Sequence, residues 1–352
     1  MKKGLLIWKA QKKNRKNIGD YIQSVAAEQY TGDDVVFVQA EQTHEYSGEP
    51  VKLIMNGWFM HKPENWPPVK QIVPFLTSFH INPAIAERML SEKGIEYFKE
   101  YVKKYGPVGA RDKGTERLLK SKGIEAYFSG CLTLTLGKTY KHNPKSENIR
   151  FVDPYYATSR NPIALLGYFF TVIFKRKTIL KISSKLNKSV SFRKLLRTAA
   201  FYRTYSQVFE KEILENADYL KHVLLESTLG NEESKFQYAR NLLNKYADSK
   251  LVVTSRIHAA LPCIAMDTPV IFIISDDLQP NGKGLVPNAK GRFEGILELF
   301  HVMENLDFKL KPILGFKLDN KIGLNHSIRN KQNHLKIAEE LDKNCTSFIN
   351  NA

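Results

Sequence analysis

The run Ser255-Arg256-Ile257-His258 sets a guanidinium and an imidazole two residues apart, where the apolar stretch KLVVTS gives way to RIHAALPCIAM. The first reads as a strand and the second as a helix entered directly from it. Arginine presents a planar fork of N–H donors that matches a carboxylate or a phosphate, and histidine exchanges protons near neutral pH. The free N–H groups of a helix's first turn add a preference for anions. Read this way, the pair binds a small anion and moves a proton on it. The competing reading keeps both structural, with Arg256 paired to a nearby carboxylate and His258 hydrogen-bonded in place.

Such a pair needs elements that deliver it to a cleft. Short apolar runs recur at Gly4 to Trp8, Asp34 to Gln39, Val51 to Gly57, Gln71 to Leu76 and Gly106 to Arg111, with helix-length stretches at Asp20 to Tyr30, Asn82 to Lys104 and Lys113 to Lys122. Strands alternating with helices predict parallel sheets covered on both faces. The pattern restarts after polar residues 143–149 with NIRFVDPYY, YLKHVLL, KLVVTSR and PVIFII, and with a helix at Glu232 to Tyr246. This predicts an α/β chain of two Rossmann-like domains, 1–146 and 147–330, facing a cleft, with a last helix in 331–352 packing back. A chain of 352 residues, 43% hydrophobic, can supply cores of that size. In open parallel sheets ligands bind beyond the carboxyl ends of the strands, where Arg256 and His258 fall.

The formal net charge is +17, and one segment carries most of it. Between Pro154 and Phe209 lie eleven basic residues and no Asp or Glu. The segment opens with fourteen uncharged residues, Asn161 to Phe174, including Phe169 and Phe170. Lys175, Arg176 and Lys177 follow at once, then Lys181, Lys185 and Lys188, with Ile179, Ile182, Leu186 and Val190 on the opposite helical face. The apolar run is too short to cross a bilayer. Apolar and basic faces together predict an insertion at about 158–205 that lies on an anionic membrane surface. The alternative is a core helix followed by a solvated basic one. No recognisable nucleic-acid-binding module accompanies the charge, so nucleic acid is not an expected partner. Cys131, Cys263 and Cys345 are spaced for neither a disulfide framework nor zinc, and no signal-peptide core opens the chain. The expectation is a cytoplasmic protein, peripheral at the inner face of the plasma membrane.

Three motifs occur in order: NIGDYIQS from Asn17, GARDKGTERLLKSKGI from Gly109, and SRIHAALPCIAMDTPVI from Ser255. Together they resemble the polysaccharide pyruvyl transferase family, whose members share a Gly-Asp turn after the first strand, an Arg-Asp after a mid-domain strand, and Ser-Arg-hydrophobic-His in the second domain. Where that family usually shows Gly-Asp-Pro, this chain has SGCLTLTL, with Cys131 in place of the acid. The resemblance implies a fold similar to the GT-B glycosyltransferases. It also implies transfer of a pyruvyl unit from phosphoenolpyruvate to two sugar hydroxyls as a cyclic ketal, with no cofactor and no metal. Arg111 and Arg256, one from each domain, would hold the donor's carboxylate and phosphate, and His258 would handle the proton. Asn17, Gly19, Asp20 and Ser255 would line the substrate site, with Asp20 either capping a helix or touching sugar. Trp58 would stack on the acceptor or anchor packing, and Lys290 and Arg292, on a glycine-rich loop, would close over phosphate. The acceptor is then expected to be a polyprenyl-diphosphate-linked sugar of capsule or exopolysaccharide synthesis. On the residues alone, a nucleotide-sugar glycosyltransferase and a non-catalytic membrane-surface scaffold stay open.

Overall fold

The computed structural model describes residues 1–8, 15–32, 34–159, 161–187, 189–275, 291–306 and 308–351. The first half of the chain runs β1 (Lys2–Ile7), β2 (Arg15–Asn17), α1 (Ile18–Thr31), β3 (Val35–Gln39), β4 (Val51–Ile54), β5 (Gly57–Phe59), β6 (Ile72–Phe75), β7 (Phe79–Ile81), α2 (Ala86–Met89), α3 (Glu92–Tyr105), β8 (Val108–Ala110), α4 (Lys113–Ser121) and β9 (Ala126–Phe128). The second half runs β10 (Ile149–Val152), α5 (Pro162–Phe174), α6 (Arg176–Leu186), α7 (Phe192–Tyr205), α8 (Lys211–Asn216), β11 (Asp218–Leu220), β12 (Val223–Leu225), α9 (Glu232–Ala247), β13 (Leu251–Thr254), α10 (Ile257–Met266), β14 (Val270–Ser275), β15 (His301–Leu306), β16 (Lys309–Ile313) and α11 (Leu335–Asn350).

In the first half, β3-β1-β4-β6 form one parallel sheet and β5-β7-β8-β9 a second. β5 and β7 resume the paths of β4 and β6 after short breaks, and the Met55 N–H bonds to the Phe75 carbonyl at 2.9 Å and the Gly109 N–H to the Leu76 carbonyl at 2.9 Å across them. The two sheets therefore read as one, whose order along the chain is second, first, third, fourth, fifth, sixth. The other half repeats that order in β11-β10-β13-β14-β15-β16, parallel except for β16. Parallel neighbours need crossover connections, and the helices supply them. β4 and β13 are buried at every position, as strands covered on both faces must be. This is the expected Rossmann-like architecture.

Two expected elements come apart. Asn82 to Lys104 is a short 3-10 turn, α2 and α3, because Ser91 takes the extended dihedrals of a helix N-cap and starts a new helix. YLKHVLL divides into β11, which joins the second sheet, and β12, which pairs antiparallel with β2, Val223 opposite Asn17. That ribbon ties the halves together, and so does their packing. One apolar cluster contains Leu5, Ile18 and Ile22 from the first half and Val252, Ala259 and Cys263 from the second. The 3-10 segment Leu132–Lys138 lies directly on α10, where a Cβ on Gly137 would come within 2.0 Å of the Ala265 carbonyl oxygen. Cys131 is buried in the same core and accepts the Thr133 hydroxyl at 3.2 Å, a packing position.

The insertion leaves the carboxyl end of β10 as α5, α6 and α7. Here the expectation for α6 is corrected: Ile179 and Ile182 are fully buried in apolar clusters of the protein, so its apolar face is already covered. Lys181 Nζ donates to Asn216 Oδ1 at 2.8 Å, and Lys185 Nζ donates to the carbonyls of Asn216 and Ala217 at 2.8 and 3.1 Å, at the end of α8. Lysines at a helix C-terminus satisfy its orphan carbonyls. Lys188 lies outside the described residues. The exposed apolar surface belongs to α5, where Tyr168 alone is buried and Ile163 and Phe174 are 81% and 76% exposed.

α11 packs on the first half through Leu341, Cys345 and Ile349, and Phe348 stacks on Phe75 at 5.1 Å. Lys52 on β4 reaches its C-terminus and donates to the carbonyls of Phe348 at 3.1 Å, Ile349 at 3.3 Å and Asn351. Lys52→Met keeps the bulk of the stem but strips those carbonyls of their donor. The expected cost is about 1–3 kcal/mol, read as a lower urea midpoint with an unchanged m value.

Candidate active site

Each half presents the carboxyl ends of its central strands to a shared cleft of about 440 Å³. Trp8 follows β1, Trp58 lies on β5, Arg111 follows β8, and Ser255 and Arg256 follow β13; all line the cleft. In the first sheet Trp8 and Trp58 flank the place where strand order reverses and in the second Ser255 and Arg256 lie at it, the usual ligand position in such folds, with Arg111 two strands further along. The first turns of α1 and α10 add Asp20 and His258, and the positive ends of the two helix dipoles favour an anion there.

Arg111 is the most constrained cation. Its side chain is fully buried, its backbone N–H is fixed to the Phe79 carbonyl at 2.9 Å, and its Nε lies 3.7 Å from Asp112 Oδ2. Among the described residues, neither Nε nor Nη2 has a hydrogen-bond partner. Behind it, Asp112 caps α4 by accepting from the Thr115 N–H at 2.9 Å and meets His80 Nδ1 at 2.6 Å. Burial alone would raise the Asp112 carboxyl, but His80, Arg111 and the Thr115 N–H hold it below its ordinary value. Burial, then the Arg111 charge, pushes His80 down to about 4, so Nδ1–H of a neutral ring donates to the carboxylate. Arg292 sits half-buried with Nε unpartnered among the described residues. Burial, then Arg111, lowers it to about 10, still cationic at neutrality.

Arg256 is paired with a carboxylate and also lines the cleft. Its Nε donates to Asp153 Oδ2 at 3.0 Å, while the side chain remains 42% exposed to the cleft. Asp153 follows β10 in the left-handed region, φ 40, and also accepts the His222 N–H at 3.1 Å. Ser255 Oγ accepts the Tyr155 N–H at 2.8 Å, shaping the loop beside it.

The proton-handling expectation for His258 changes. Burial, then the charges of Arg111, His222 and Arg292, hold this imidazole well below 6.5, so it is neutral at physiological pH. Its Nε2 is buried without a partner among the described residues. Asp20 moves toward neutrality: burial pushes its carboxyl up to about 7 against the pull of Lys16, Arg292, Arg111 and Asn17. Nor does Asp20 cap α1. Asn17 does, accepting the Gly19 N–H at Oδ1 (3.1 Å), with its Nδ2 3.3 Å from Asp20 Oδ1.

Trp58 is half-buried on the cleft wall with His61 against it, ring centroids 4.3 Å apart. Trp66, by contrast, is buried among Phe59, Phe79 and Phe98, a packing anchor. Lys290 lies outside the described residues. Sequence reasoning missed His80, Asp153 and His222; the last two follow strands of three or four residues, too short to carry a periodic signal.

A sequence model of one family, polysaccharide pyruvyl transferase, matches residues 3–277. The chain belongs to the polysaccharide pyruvyl transferase family. No curated protein and no solved structure matches it. The transferase assignment replaces both the glycosyltransferase and the scaffold readings. The match spans β1 to β14 and takes in every cleft residue except Arg292 and Phe293, which close the cleft from beyond it.

Gly19 gives this transferase a test of how tightly its site is set. A Cβ there would lie 3.1 Å from His258 Nδ1 and 3.2 Å from His258 Cβ. Gly19→Ala should displace His258 and lower kcat/KM at least tenfold, with a stability loss near 1 kcal/mol measured by denaturant unfolding.

Proposed function

We propose that the transferase takes phosphoenolpyruvate as donor and builds a cyclic pyruvate ketal on two hydroxyls of a sugar, carried on a lipid-linked intermediate of capsule or exopolysaccharide synthesis. The observation that supports the donor most is the Arg111 guanidinium, fully buried and with two nitrogens unpartnered among the described residues, in a cleft that Arg256 and Arg292 also line. Desolvated N–H donors of this kind favour a multiply charged anion. A carboxylate and a phosphate on one small molecule would engage all three arginines.

In this reading protonated Asp20 gives its proton to the methylene carbon, and C2 becomes electrophilic. One sugar hydroxyl attacks C2 and returns its proton to the Asp20 carboxylate. The C2–O bond to phosphate then breaks as the second hydroxyl closes the ketal, its proton leaving with the phosphate. General acid catalysis of this type contributes roughly 100-fold to 10,000-fold. His258, neutral, offers Nε2 as a hydrogen-bonding partner to the reacting groups rather than as a charge. Trp58 gives the sugar an apolar face to lie on. The acceptor's lipid linkage is supported by the exposed apolar surface of α5, in the same chain as the cleft.

Arg111→Ala should abolish measurable donor binding and turnover, followed as phosphate release from phosphoenolpyruvate, while Arg256→Ala should weaken donor binding about 10-fold to 100-fold. Wild-type turnover in Arg111→Ala would remove phosphoenolpyruvate from consideration. For Asp20 the sign follows from its raised value: the active acid is protonated below about 7 and lost above it. The kcat/KM profile should therefore fall on the alkaline side with a midpoint near pH 7, and Asp20→Asn should keep at most ~1% of the rate without that limb. Stability carries the same sign. The folded state holds this proton where the unfolded one, at about 3.8, has lost it. The burial cost is thus absent below 3.8 and complete above about 7, so Asp20→Asn should raise Tm more at pH 8 than at pH 5.

A further inference from the structure

The cleft leaves unexplained a larger groove of about 720 Å³ between α5, α7 and the start of β16. Its described lining contains three cations, Lys175, Arg203 and Lys309, and no carboxylate. Arg203 lies across it, Nη1 3.3 Å from Thr171 Oγ1 and 3.5 Å from the Gly167 carbonyl oxygen, long contacts that leave the guanidinium exposed. Phe170 and Phe174 form one wall and stack on each other at 6.0 Å.

Outside the groove, α5 turns Ile163, Leu166, Phe169 and Ile173 to solvent, and Phe192 at the start of α7 extends this surface, 6.4 Å from the Phe169 ring. A folded protein rarely leaves so contiguous an apolar surface unpartnered. Thirteen helical residues span about 20 Å, against about 30 Å of bilayer hydrocarbon. No helix among the described residues is long and apolar enough to cross a membrane. A second copy of the chain is disfavoured as the cover, since a two-fold contact through this face would set one acid-free, basic segment against itself.

We infer that α5 and the start of α7 lie in the surface of an anionic phospholipid bilayer, with one lipid phosphate held in the groove by Arg203, Lys175 and Lys309. Apolar side chains enter the acyl boundary and the cations meet the headgroups, each contributing by charge and by contact area. The basic contribution comes from these three residues and not from Lys181 and Lys185, which α8 occupies. This docking does not depend on the chemistry in the cleft.

The test uses the full chain and vesicles of phosphatidylglycerol with phosphatidylcholine, against phosphatidylcholine alone. Wild type should float with the anionic vesicles in 0.1 M salt and be largely released at 1 M, where the Debye length falls from about 10 Å to about 3 Å. Lys175→Gln with Arg203→Gln should weaken that binding about 25-fold, near fivefold per cation, with unchanged Tm. In Phe170→Trp, the introduced indole should emit at shorter wavelength on anionic vesicles and be quenched by lipids brominated along the chain. Equal binding to both vesicle types, or an indole emission in that variant that ignores them, overturns the inference. So does a concentration-dependent dimer that Phe170→Glu abolishes, which would assign the face to a second copy. An acidic protein that competes for the face while vesicles fail to bind would overturn it as well.

Discussion

A guanidinium with too few partners is costly to bury, and Arg111, fully buried with Nε and Nη2 unpartnered among the described residues, is such a group. The fold accepts this cost by fixing the residue from behind. Its backbone is pinned to β7, its neighbour Asp112 serves as both helix cap and counter-charge, and a neutral His80 holds that carboxylate in place. Asp112 Oδ2 approaches the Arg111 Nε no nearer than 3.7 Å, and among the described residues Nε and Nη2 stay without a hydrogen-bond partner. A preorganised cation of this kind needs no rearrangement when an anion arrives.

That charge also bears on the other titrating groups of the cleft, after burial. Arg111 depresses His80, His258 and Arg292 alike, and it opposes the rise of Asp20. Two histidines become neutral dipoles, and one carboxyl is left poised. Burial sets the direction for each group, and the cations of the cleft, Arg111 among them, deepen the fall of the histidines and of Arg292 and hold back the rise of Asp20.

Much of this was legible in the sequence. Alternating apolar runs pointed to the two sheets, because strands covered on both faces must be continuously apolar, as LVVT is. The spacing of Ser255, Arg256 and His258 located a helix start, and the structure brings these residues together with Asn17, Asp20, Trp58, Arg111 and Arg292. What escaped depends on contacts between distant segments. Nothing near Asp153 announces that it will orient Arg256, 103 positions away. Asp20 looks like a cap until Asn17 is seen to hold the Gly19 N–H. Periodicity showed that α6 has two faces, but it could not tell whether protein or lipid covers the apolar one.

The ribbon between β2 and β12 has a consequence for how substrates come and go. Enzymes built from two sheets often admit their ligands by swinging one half away from the other about a flexible connection. Here the Ile18 N–H is bonded to the His222 carbonyl at 2.9 Å beside that ribbon, and α1 is buried against α9 and α10 within one common core. Jaw-like opening would have to tear a hydrogen-bonded ladder and expose apolar surface at the same time. The cleft is therefore a fixed vestibule between halves that stay together, rather than a pair of jaws.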